Sequence, residues 1–395
     1  QNMVKLCFHV TFYDRVADLD RKYILNYDGD ANPAMIDMYD VKNRRTFLKR
    51  TACPASITPG MLVPGNTVTI MSRQIQIDSG ATAATDAYLS QACQSTLAIV
   101  KPDSMEHAGA IISMVERAGL RVTRCQMVQM EREEAETFYA EHQGRPFFPA
   151  LVSMMTSAPC LVMKLTGPDA IKTWRGLLGP TNPETARATQ PGCIRALYAI
   201  DGTRNAAHGS DSPASAEREL DLCFKEEGST ASGLSPVYAF PQVGDKEIEE
   251  GDRRLAVILV RPHVIREGLA HVAVQRVQEY CASNPGSSLT GLRSLIMAKA
   301  DAEMLMAAYR GVAQGWGESV EELVSGPCIV MQIQASNALY AVKEIAGPYQ
   351  PLIAKTLSPT SLRSILGIDA VSNGVVVTEL VSDTLLWSQI LFEML

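Results

Sequence analysis

The sequence predicts an α+β protein in which a sheet covered by helices occurs twice, behind a small all-β domain. Three observations predict this fold class. A long part of the chain repeats itself, short apolar strands alternate with amphipathic helices inside each repeat, and residues 1–90 show only short alternating runs. The 395 residues also exceed the roughly 250 to 300 residues at which a single core stops growing. Several domains are therefore expected.

The composition excludes several classes of protein. The chain is 46% hydrophobic and 20% charged, as in ordinary globular proteins, and no apolar run approaches the roughly 20 residues of a membrane span. A net charge of −7 gives no broad attraction to nucleic acid. The nine cysteines are scattered singly, which favours neither a disulfide framework nor a zinc site. The opening "QNMVKLCFHV" lacks the pattern of a secretory signal, so we expect a cytoplasmic protein without membrane or nucleic-acid partners.

Residues 1–90 are expected to form the all-β domain. They contain short alternating or β-branched runs separated by turn signals such as Asp28-Gly29. The runs are "RKYILNYDGD", "AMIDMYD", "RTFLKR", "NTVTIMS" and "QIQID".

The rest of the chain contains an internal repeat. "APCLVMKLTGPDAI" (158–171) matches "GPCIVMQIQASNAL" (326–339), and "LLGPTNP" and "LAIVKPD" match "IAGPYQP" and "VILVRPH" in the same order. We predict two homologous domains, a first repeat at 92–225 and a second repeat at 253–395. Residues 226–252, rich in Gly, Pro, Ser and acidic residues without a sustained period, are predicted to be a linker.

The elements of the first repeat follow from periodicity and termination signals. An apolar strand leads into "AGAIISMVERAG", whose apolar residues share one helix face and whose Gly119 is placed for a left-handed C-terminal cap. Strands and helices then alternate, which predicts helices packed over one sheet. The predicted strands are 96–100, 120–130 and 160–165, and the predicted helices are 108–119, 132–143 and 169–178.

The stretch "NAAHGSDS" (205–212) carries a candidate nucleophile. A neutral imidazole can attack an electrophile near pH 7, but it needs open space around its reactive nitrogen. The small residues Ala206, Ala207 and Gly209 leave that space around His208. The alternative is that a lone histidine in a loop is simply solvated.

Fixed positive charge is the second requirement for phosphoryl transfer. Lys101, Arg175 and Arg195 each stand at a predicted strand or helix end, where their side chains could converge. Singly, each feature has an ordinary alternative: Lys-Pro-Asp is a common transition from strand to turn, and "GRPFF" (144–148) is also compatible with a helix end docking two phenylalanines in the core.

Taken together, these motifs are specific. Residues 95–224 resemble nucleoside diphosphate kinases, because "TLAIVKPD", "YAEHQGRPFF", "LLGPTNP", "PGCIRALYA" and "NAAHGSDSPASAERE" stand in that family's order. The resemblance implies a ferredoxin-like α/β sandwich. It also implies that His208 is phosphorylated by a nucleoside triphosphate such as ATP and dephosphorylated by a nucleoside diphosphate, in a ping-pong reaction.

The resemblance further implies roles for the other site residues. Phe147 would stack on the base, Tyr139 would lie near His208, and Ser210 and Glu219 would orient and polarise the imidazole. Phosphates and ribose would be held by Lys101, Arg175, Thr181, Arg195 and Asn205. Magnesium is implied as a bridge between the donor phosphates rather than as a resident of a protein metal site.

The second repeat lacks most of this set. It has Val376 where the first repeat has His208, and "GWGE" (315–318) where the stacking phenylalanine would be. The other replacements are Arg261 for Lys101, Lys343 for Arg175 and Tyr349 for Thr181, while Tyr309, Arg363 and Asn373 persist. Valine cannot accept a phosphoryl group. Weak nucleotide binding through the remaining cations stays open, and a structural role is favoured.

The N-terminal stretch "MIDMYDVKNRRTFLKR" (35–50) resembles the DM-ten domain of axonemal proteins, which implies a pleckstrin-homology-like fold. The alternative is an ordinary basic hairpin. A DM-ten domain followed by two kinase-like domains resembles a ciliary branch of the nucleoside diphosphate kinases. That implies a structural protein inside the doublet microtubules of cilia and flagella, with tubulin and neighbouring axonemal proteins as partners. The alternative function is a cytosolic kinase whose other domains only target or regulate it.

Overall fold

The structure, a computed structural model, describes residues 5–14, 19–54, 57, 59, 62–64, 67–71, 73–224, 233–239, 254–313 and 315–394. The chain forms two compact units. One unit comprises 1–94 with 167–169, and the other comprises 95–166 with 170–395. Within the described ranges, no helix combines the length and the apolar character that crossing a membrane would require.

The N-terminal unit is built on a six-stranded antiparallel sheet. Its strands are β1 (Lys5–Asp14), β2 (Leu19–Asp28), β3 (Met35–Asp40), β4 (Arg45–Ala52), β5 (Thr67–Ile70) and β6 (Arg73–Gly80). They lie in the order β4-β3-β2-β1-β6-β5. Alternate residues such as Phe8, Leu25 and Ile75 are fully buried on one face, as the period of two requires. The runs predicted to be strands are strands.

Two elements of this unit were not predicted. The strand β1 lies before the first predicted run, and the helix α1 (Ala83–Ala92) follows the sheet inside the stretch expected to be all-β. Thr82 caps the helix by accepting a hydrogen bond from the Thr85 backbone N–H. The Thr85 hydroxyl in turn accepts a bond of 2.8 Å from the Cys7 backbone N–H of β1. The cap and the alanine-rich sequence that follows it explain the helix.

The first repeat alternates strands and helices in the predicted sense. Its strands are β7 (Gln94–Val100), β8 (Arg121–Val128), β9 (Cys160–Gly167) and β10 (Ala207–Gly209). Its α-helices are α2 (Ala108–Arg117), α3 (Arg132–Phe138), α4 (Phe148–Met155), α5 (Ala170–Leu178), α6 (Pro183–Thr189), α7 (Ile194–Tyr198) and α8 (Pro213–Cys223). Short 3-10 helices cover Pro102–His107 and Ala140–His142.

The second repeat has a matching series. Its strands are β11 (Leu255–Val260), β12 (Ser288–Ile296), β13 (Pro327–Gln334) and β14 (Val375–Val377). Its α-helices are α9 (Pro262–Arg266), α10 (Ala270–Ser283), α11 (Lys299–Leu305), α12 (Trp316–Leu323), α13 (Ala338–Ala346), α14 (Pro351–Leu357), α15 (Leu362–Leu366) and α16 (Val381–Ser388). A 3-10 helix covers Ala307–Tyr309, and π-helical turns cover Gln389–Met394.

The two repeats share one sheet. Its eight described strands lie in the order β10-β7-β9-β8-β12-β13-β11-β14, so each repeat has the fourth-first-third-second arrangement of a ferredoxin-like sheet. The repeats meet where β8 pairs antiparallel with β12, with Gln126 opposite Arg293. The Ser294 hydroxyl adds two hydrogen bonds to the Cys125 backbone. It accepts the Cys125 N–H at 2.7 Å and donates to the Cys125 carbonyl at 3.3 Å.

Helices cover both faces of this sheet, a detail that the predicted arrangement of helices over one sheet did not specify. In β7, Ala98 and Val100 pack with α2 and α5, while Leu97 and Ile99 pack with α3, α4 and α8. A strand buried on both faces reads as a continuous apolar run, which does not reveal the second layer of helices.

Two helix ends test the predicted boundaries. Gly119 adopts a φ of +83°, as a left-handed C-terminal cap requires. The helix α3 ends at Phe138, before the predicted Gln143, because Tyr139 leaves helical geometry and buries its ring beside Phe138.

Residues 233–239 of the predicted linker lie along both repeats; 226–232 and 240–252 fall outside the described residues. On the first repeat, the Val237 N–H donates to the Met127 carbonyl at 2.8 Å. On the second, the Ala239 N–H donates to the Gln332 Oε1 at 2.7 Å, and the Tyr238 ring stacks on Phe392. This part of the linker is therefore an ordered connection between the repeats.

Candidate active site

His208 lies at the centre of β10, which pairs with β7 so that His208 faces Ile99 across the sheet. The Trp174 indole N–H donates a hydrogen bond of 3.0 Å to the His208 carbonyl. The neighbouring residue must be glycine, since a Cβ on Gly209 would lie 2.4 Å from the Trp174 ring. The backbone of His208 is therefore held on both sides.

A buried carboxylate holds the imidazole. The His208 Nε2 lies 2.9 Å from the Glu219 Oε2, which also accepts a 2.8 Å bond from the Ser210 hydroxyl. The Glu219 side chain is 3% exposed and the His208 side chain 19%. A carboxylate accepts only, so the Nε2 carries the proton and the lone pair of the neutral ring is on Nδ1. The site thus presents one basic nitrogen.

Two aromatic rings flank His208 edge-on. The ring centroids of Phe138 and Tyr139 lie 5.3 and 5.8 Å from that of His208. Burial raises the pKa of Tyr139 well above its ordinary value, and none of the described residues bonds to its hydroxyl.

Lys101 is buried beside the loop that precedes His208. Its Nζ donates to the Asn205 Oδ1 at 2.7 Å and to the Thr203 carbonyl at 3.3 Å. Burial lowers the pKa of Lys101 to about 8, and the nearby charge of Arg195 acts in the same direction. The structure therefore brings together Lys101 and Asn205, two of the predicted site residues.

Arg195 and Arg175 continue this cationic region. The Arg195 guanidinium donates to the Gly179 carbonyl at 2.8 Å and to the Ala207 carbonyl at 3.3 Å. Burial, and next the charge of Arg175, lower the pKa of Arg195 to about 10. The carboxylates of Asp103 and Asp201 act electrostatically on Lys101, and that of Asp211 interacts with Arg175, although none of the described residues forms a close ion pair with these cations. Three neighbouring cations that lack a close ion pair are suited to a polyanionic ligand.

The other two predicted ligand residues lie further out. Phe147 precedes α4, is 48% exposed, and contacts the His142 ring at 5.5 Å. Thr181 is exposed in the turn before Asn182, which caps α6. Neither makes a described hydrogen bond or ring contact with His208.

Three residues support the site in ways that the sequence did not predict. Ala206 has a φ of +69°, a left-handed conformation that is strained for any residue except glycine. The second residue is Asp103, whose Oδ2 accepts the Ala206 N–H at 3.1 Å. The Ala206 carbonyl in turn accepts the Lys101 N–H at 2.9 Å. The third residue is Trp174. An alanine carries no sequence signal for positive φ, and a tryptophan in a helix usually indicates only a core position.

In the second repeat, apolar packing replaces the imidazole and its carboxylate. Val376 is buried at the centre of β14, opposite Leu259. By the repeat alignment, Trp387 stands where the first repeat has Glu219, and both residues belong to one apolar cluster. The Thr378 hydroxyl accepts the Val257 N–H at 3.1 Å, as the Ser210 hydroxyl accepts the Leu97 N–H at 3.2 Å. The fold has been retained without the acid–base pair.

The cation equivalent to Lys101 is neutralised inside the protein. Arg261 is fully buried, and its guanidinium donates to the Glu322 carboxylate at 3.0 Å, to the Asn373 Oδ1 at 2.9 Å and to the Ser319 hydroxyl at 2.7 Å. His263 binds the second oxygen of Glu322 at 2.9 Å. The side chain that would bind phosphate is therefore committed to an internal ion pair.

The two remaining cations of the second repeat are also engaged. Lys343 pairs with Glu379 at 3.0 Å. The guanidinium of Arg363 lies over the Tyr349 ring, 5.3 Å from its centroid, and Tyr349 stacks on Tyr309. The sequence left open that the second repeat binds nucleotide weakly. These contacts argue against it, because side chains of the second repeat already engage the cations that would bind phosphate.

The described residues contain no group of three or more histidine, cysteine, aspartate or glutamate side chains placed to hold a metal ion. An ion such as Mg²⁺, which keeps several waters and binds substrate phosphates, does not require such a cage. The neighbouring cations Lys101, Arg175 and Arg195 fit the polyphosphate that would bring the ion.

Sequence comparisons show which proteins this chain is similar to. The family model for nucleoside diphosphate kinases matches residues 94–228 and again 255–387. Nucleoside diphosphate kinase homolog 7 of Rattus norvegicus is 35% identical over 392 residues, covering 99% of this chain and 93% of the relative, and the Mus musculus protein has the same values. A nucleoside diphosphate kinase of Actinobacillus pleuropneumoniae serotype 3 is 49% identical over 133 residues, 33% of this chain and 94% of the relative.

Among solved structures, the Aquifex aeolicus nucleoside diphosphate kinase is 41% identical, with a TM-score of 0.34 and coverage of 34% of this chain and 98% of that chain. The family model alone accounts for more than half of the sequence, in two tandem regions. This chain belongs to the nucleoside diphosphate kinase family.

Proposed function

We propose that the first repeat transfers the γ-phosphate of a nucleoside triphosphate to a nucleoside diphosphate through phospho-His208. One observation carries the proposal: the His208 imidazole, held by Glu219 at 2.9 Å, lies in the same site as the neighbouring cations Lys101, Arg195 and Arg175. The arrangement offers a nucleophilic nitrogen beside a region that favours polyphosphate.

In the first half-reaction, the Nδ1 lone pair of His208 attacks the γ-phosphorus. A P–N bond forms, the bond from phosphorus to the bridging oxygen breaks, and the nucleoside diphosphate leaves with that electron pair. Glu219 keeps the proton on Nε2 and stabilises the positive charge that develops on the ring. In the second half-reaction, a terminal phosphate oxygen of the acceptor diphosphate attacks the phosphorus and the P–N bond breaks.

The remaining predicted residues are assigned to nucleotide binding. Lys101, Arg175 and Arg195 would neutralise phosphate oxygens, Asn205 and Thr181 would bind phosphate or ribose, and Phe147 would stack on the base. The exposure of Phe147 suits stacking, since every base has a π-face. Mg²⁺ bound by the phosphates would neutralise their charge further.

Incubation with γ-labelled ATP tests the enzymatic proposal. We expect acid-labile label on the wild-type protein, none on His208→Ala, and full labelling of the control His142→Ala, which alters a nearby histidine. Wild-type protein that takes up no label under conditions that charge an authentic kinase would refute the proposal.

We also infer a structural role in axonemal doublet microtubules of cilia or flagella, with tubulin and neighbouring axonemal proteins as partners. Two features support it. The stretch resembling a DM-ten domain forms a hairpin of β3 and β4 whose basic residues Arg45, Lys49 and Arg50 are exposed. In addition, the second repeat keeps its fold while its own side chains fill the site.

Axonemes that lack the chain test the structural role. We expect density to be missing inside the doublet microtubules, and restored by His208→Ala, which retains the fold. Unchanged doublets, together with extraction of the chain by mild detergent alone, would instead support the alternative of a cytosolic kinase whose other domains target or regulate it.

A further inference from the structure

The helices α2 and α10 bring the two repeats into backbone contact. A Cβ on Gly109, in the first turn of α2, would lie 2.7 Å from the Gln275 backbone nitrogen of α10. Only glycine permits this approach. Side chains of each helix can therefore reach backbone groups of the other repeat.

Gln278 of α10 uses both ends of its amide in this contact. Its Oε1 accepts the Gly109 N–H at 2.9 Å, and its Nε2 donates to the Met105 carbonyl at 2.6 Å. An amide bonded at both ends has one orientation, so Gln278 fixes two points of the first repeat relative to the second.

The Met105 carbonyl belongs to the 3-10 helix Pro102–His107, whose other end forms part of the site. Lys101 immediately precedes it, and Asp103 accepts the N–H of Ala206, two residues before His208. The Lys101 N–H also donates to the Ala206 carbonyl at 2.9 Å. This short segment thus connects Gln278 to the strained turn that presents the imidazole.

A related contact in the opposite direction lacks that connection. The Glu116 Oε2 of α2 accepts two hydrogen bonds from His271 of α10. The backbone nitrogen of His271 lies 3.3 Å from this oxygen, and its Nδ1 lies 2.6 Å from it. His271 contacts no residue of the Pro102–His107 segment through a described hydrogen bond. Of these two contacts between α2 and α10, only the contact made by Gln278 leads to the site.

We propose that Gln278, in the repeat without a catalytic histidine, is a positioning residue for phosphoryl transfer in the first repeat. By holding the Met105 carbonyl, it fixes the Pro102–His107 segment and, through Asp103 and Lys101, the turn before His208. The second repeat is thereby a working part of the first active site. This inference rests on the proposed kinase function.

The test compares Gln278→Met, Gln278→Glu and the matched control His271→Ala in the full chain. Gln278→Met removes both bonds at similar volume, whereas Gln278→Glu keeps the acceptor for the Gly109 N–H and loses the donor to the Met105 carbonyl. The measurements are the single-turnover rate of His208 phosphorylation by ATP, the KM for ATP, and thermal unfolding. We expect both Gln278 variants to lose about five-fold or more in rate, and His271→Ala to stay within about two-fold of wild type.

Simple capping of α2 or general support of the interface makes a different prediction. In that case Gln278→Met and His271→Ala would lower the phosphorylation rate equally, or neither would lower it. Either result overturns the inference. It is also overturned if Gln278→Glu retains the wild-type rate. Should Gln278→Met fail to fold, Gln278→Glu against His271→Ala decides the question. Absence of labelling in the wild type would refute the kinase proposal itself, which distinguishes the two failures.

Discussion

Glu219→Gln is the substitution that tests the chemistry of the site most directly. The change keeps the size of the side chain and removes its charge. In the structure, the Glu219 Oε2 accepts from both the His208 Nε2 and the Ser210 hydroxyl, and Arg218 lies 3.5 Å from the Oε1. An amide oxygen can accept the same two bonds, so the geometry of the imidazole should survive.

The expected loss follows from the strength of these bonds. A hydrogen bond to a charged group contributes about 1.5 to 3 kcal/mol, against about 0.5 to 1.5 kcal/mol for a neutral one. The charge is needed most when the imidazole becomes phosphorylated and cationic, so the difference of about 1.5 kcal/mol falls on the transition state. That corresponds to roughly ten-fold in rate.

Quench-flow measurement of labelled phosphate transfer from ATP to His208 is the assay, since it isolates the first half-reaction from product release. Glu217→Gln is the control, because Glu217 lies on the same helix α8 but is exposed. We expect wild-type rates for Glu217→Gln and unchanged ATP affinity for both variants. If Glu219→Gln phosphorylates His208 within two-fold of wild type, Glu219 does not stabilise the imidazolium as argued.

Three further predictions concern other parts of the site. Burial lowers the pKa of Lys101 to about 8, so its positive charge is present below that pH and lost above it. We therefore expect kcat/KM for ATP to fall above about pH 8. Lys101→Arg should remove this alkaline fall from the pH profile, because arginine stays protonated. Trp174→Phe removes the donor to the His208 carbonyl and should slow phosphorylation about five-fold in quench-flow; an unchanged rate would contradict its positioning role. Val376→His in a His208→Ala background should take up no label from γ-labelled ATP, because Trp387 replaces the carboxylate; peptide mapping that finds phosphohistidine at position 376 would contradict this.

Local patterns predicted three of the seven first-repeat α-helices and three of its four strands, because these elements depend on neighbouring residues. The alternating runs between residues 21 and 78 and the position of Gly119 are such signals, and both correspond to observed elements. The boundary at Phe138 was missed because the end of α3 depends on burial of Tyr139 against distant residues. Periodicity within one helix carries no information about that contact.

The candidate site shows the same division. Motifs identified Lys101, Asn205 and His208, and the structure places Lys101 against Asn205 and His208 against Glu219. Their roles in catalysis remain predictions. The support from Trp174 was not predictable, since its bond to the His208 carbonyl joins residues far apart in the chain. The contact of Gln278 with the first repeat likewise depends on how the two repeats associate.

The pairing of β8 with β12 has a consequence for stoichiometry. Two subunits of an ordinary dimer separate on dilution, since their association obeys mass action. Here the two halves of the sheet are joined by one chain, and tethered partners meet at an effective concentration on the order of millimolar. Dilution therefore leaves the pairing intact. Each first repeat, which carries His208, is therefore accompanied by one second repeat at every concentration of the chain. Synthesis as a single polypeptide fixes this one-to-one ratio.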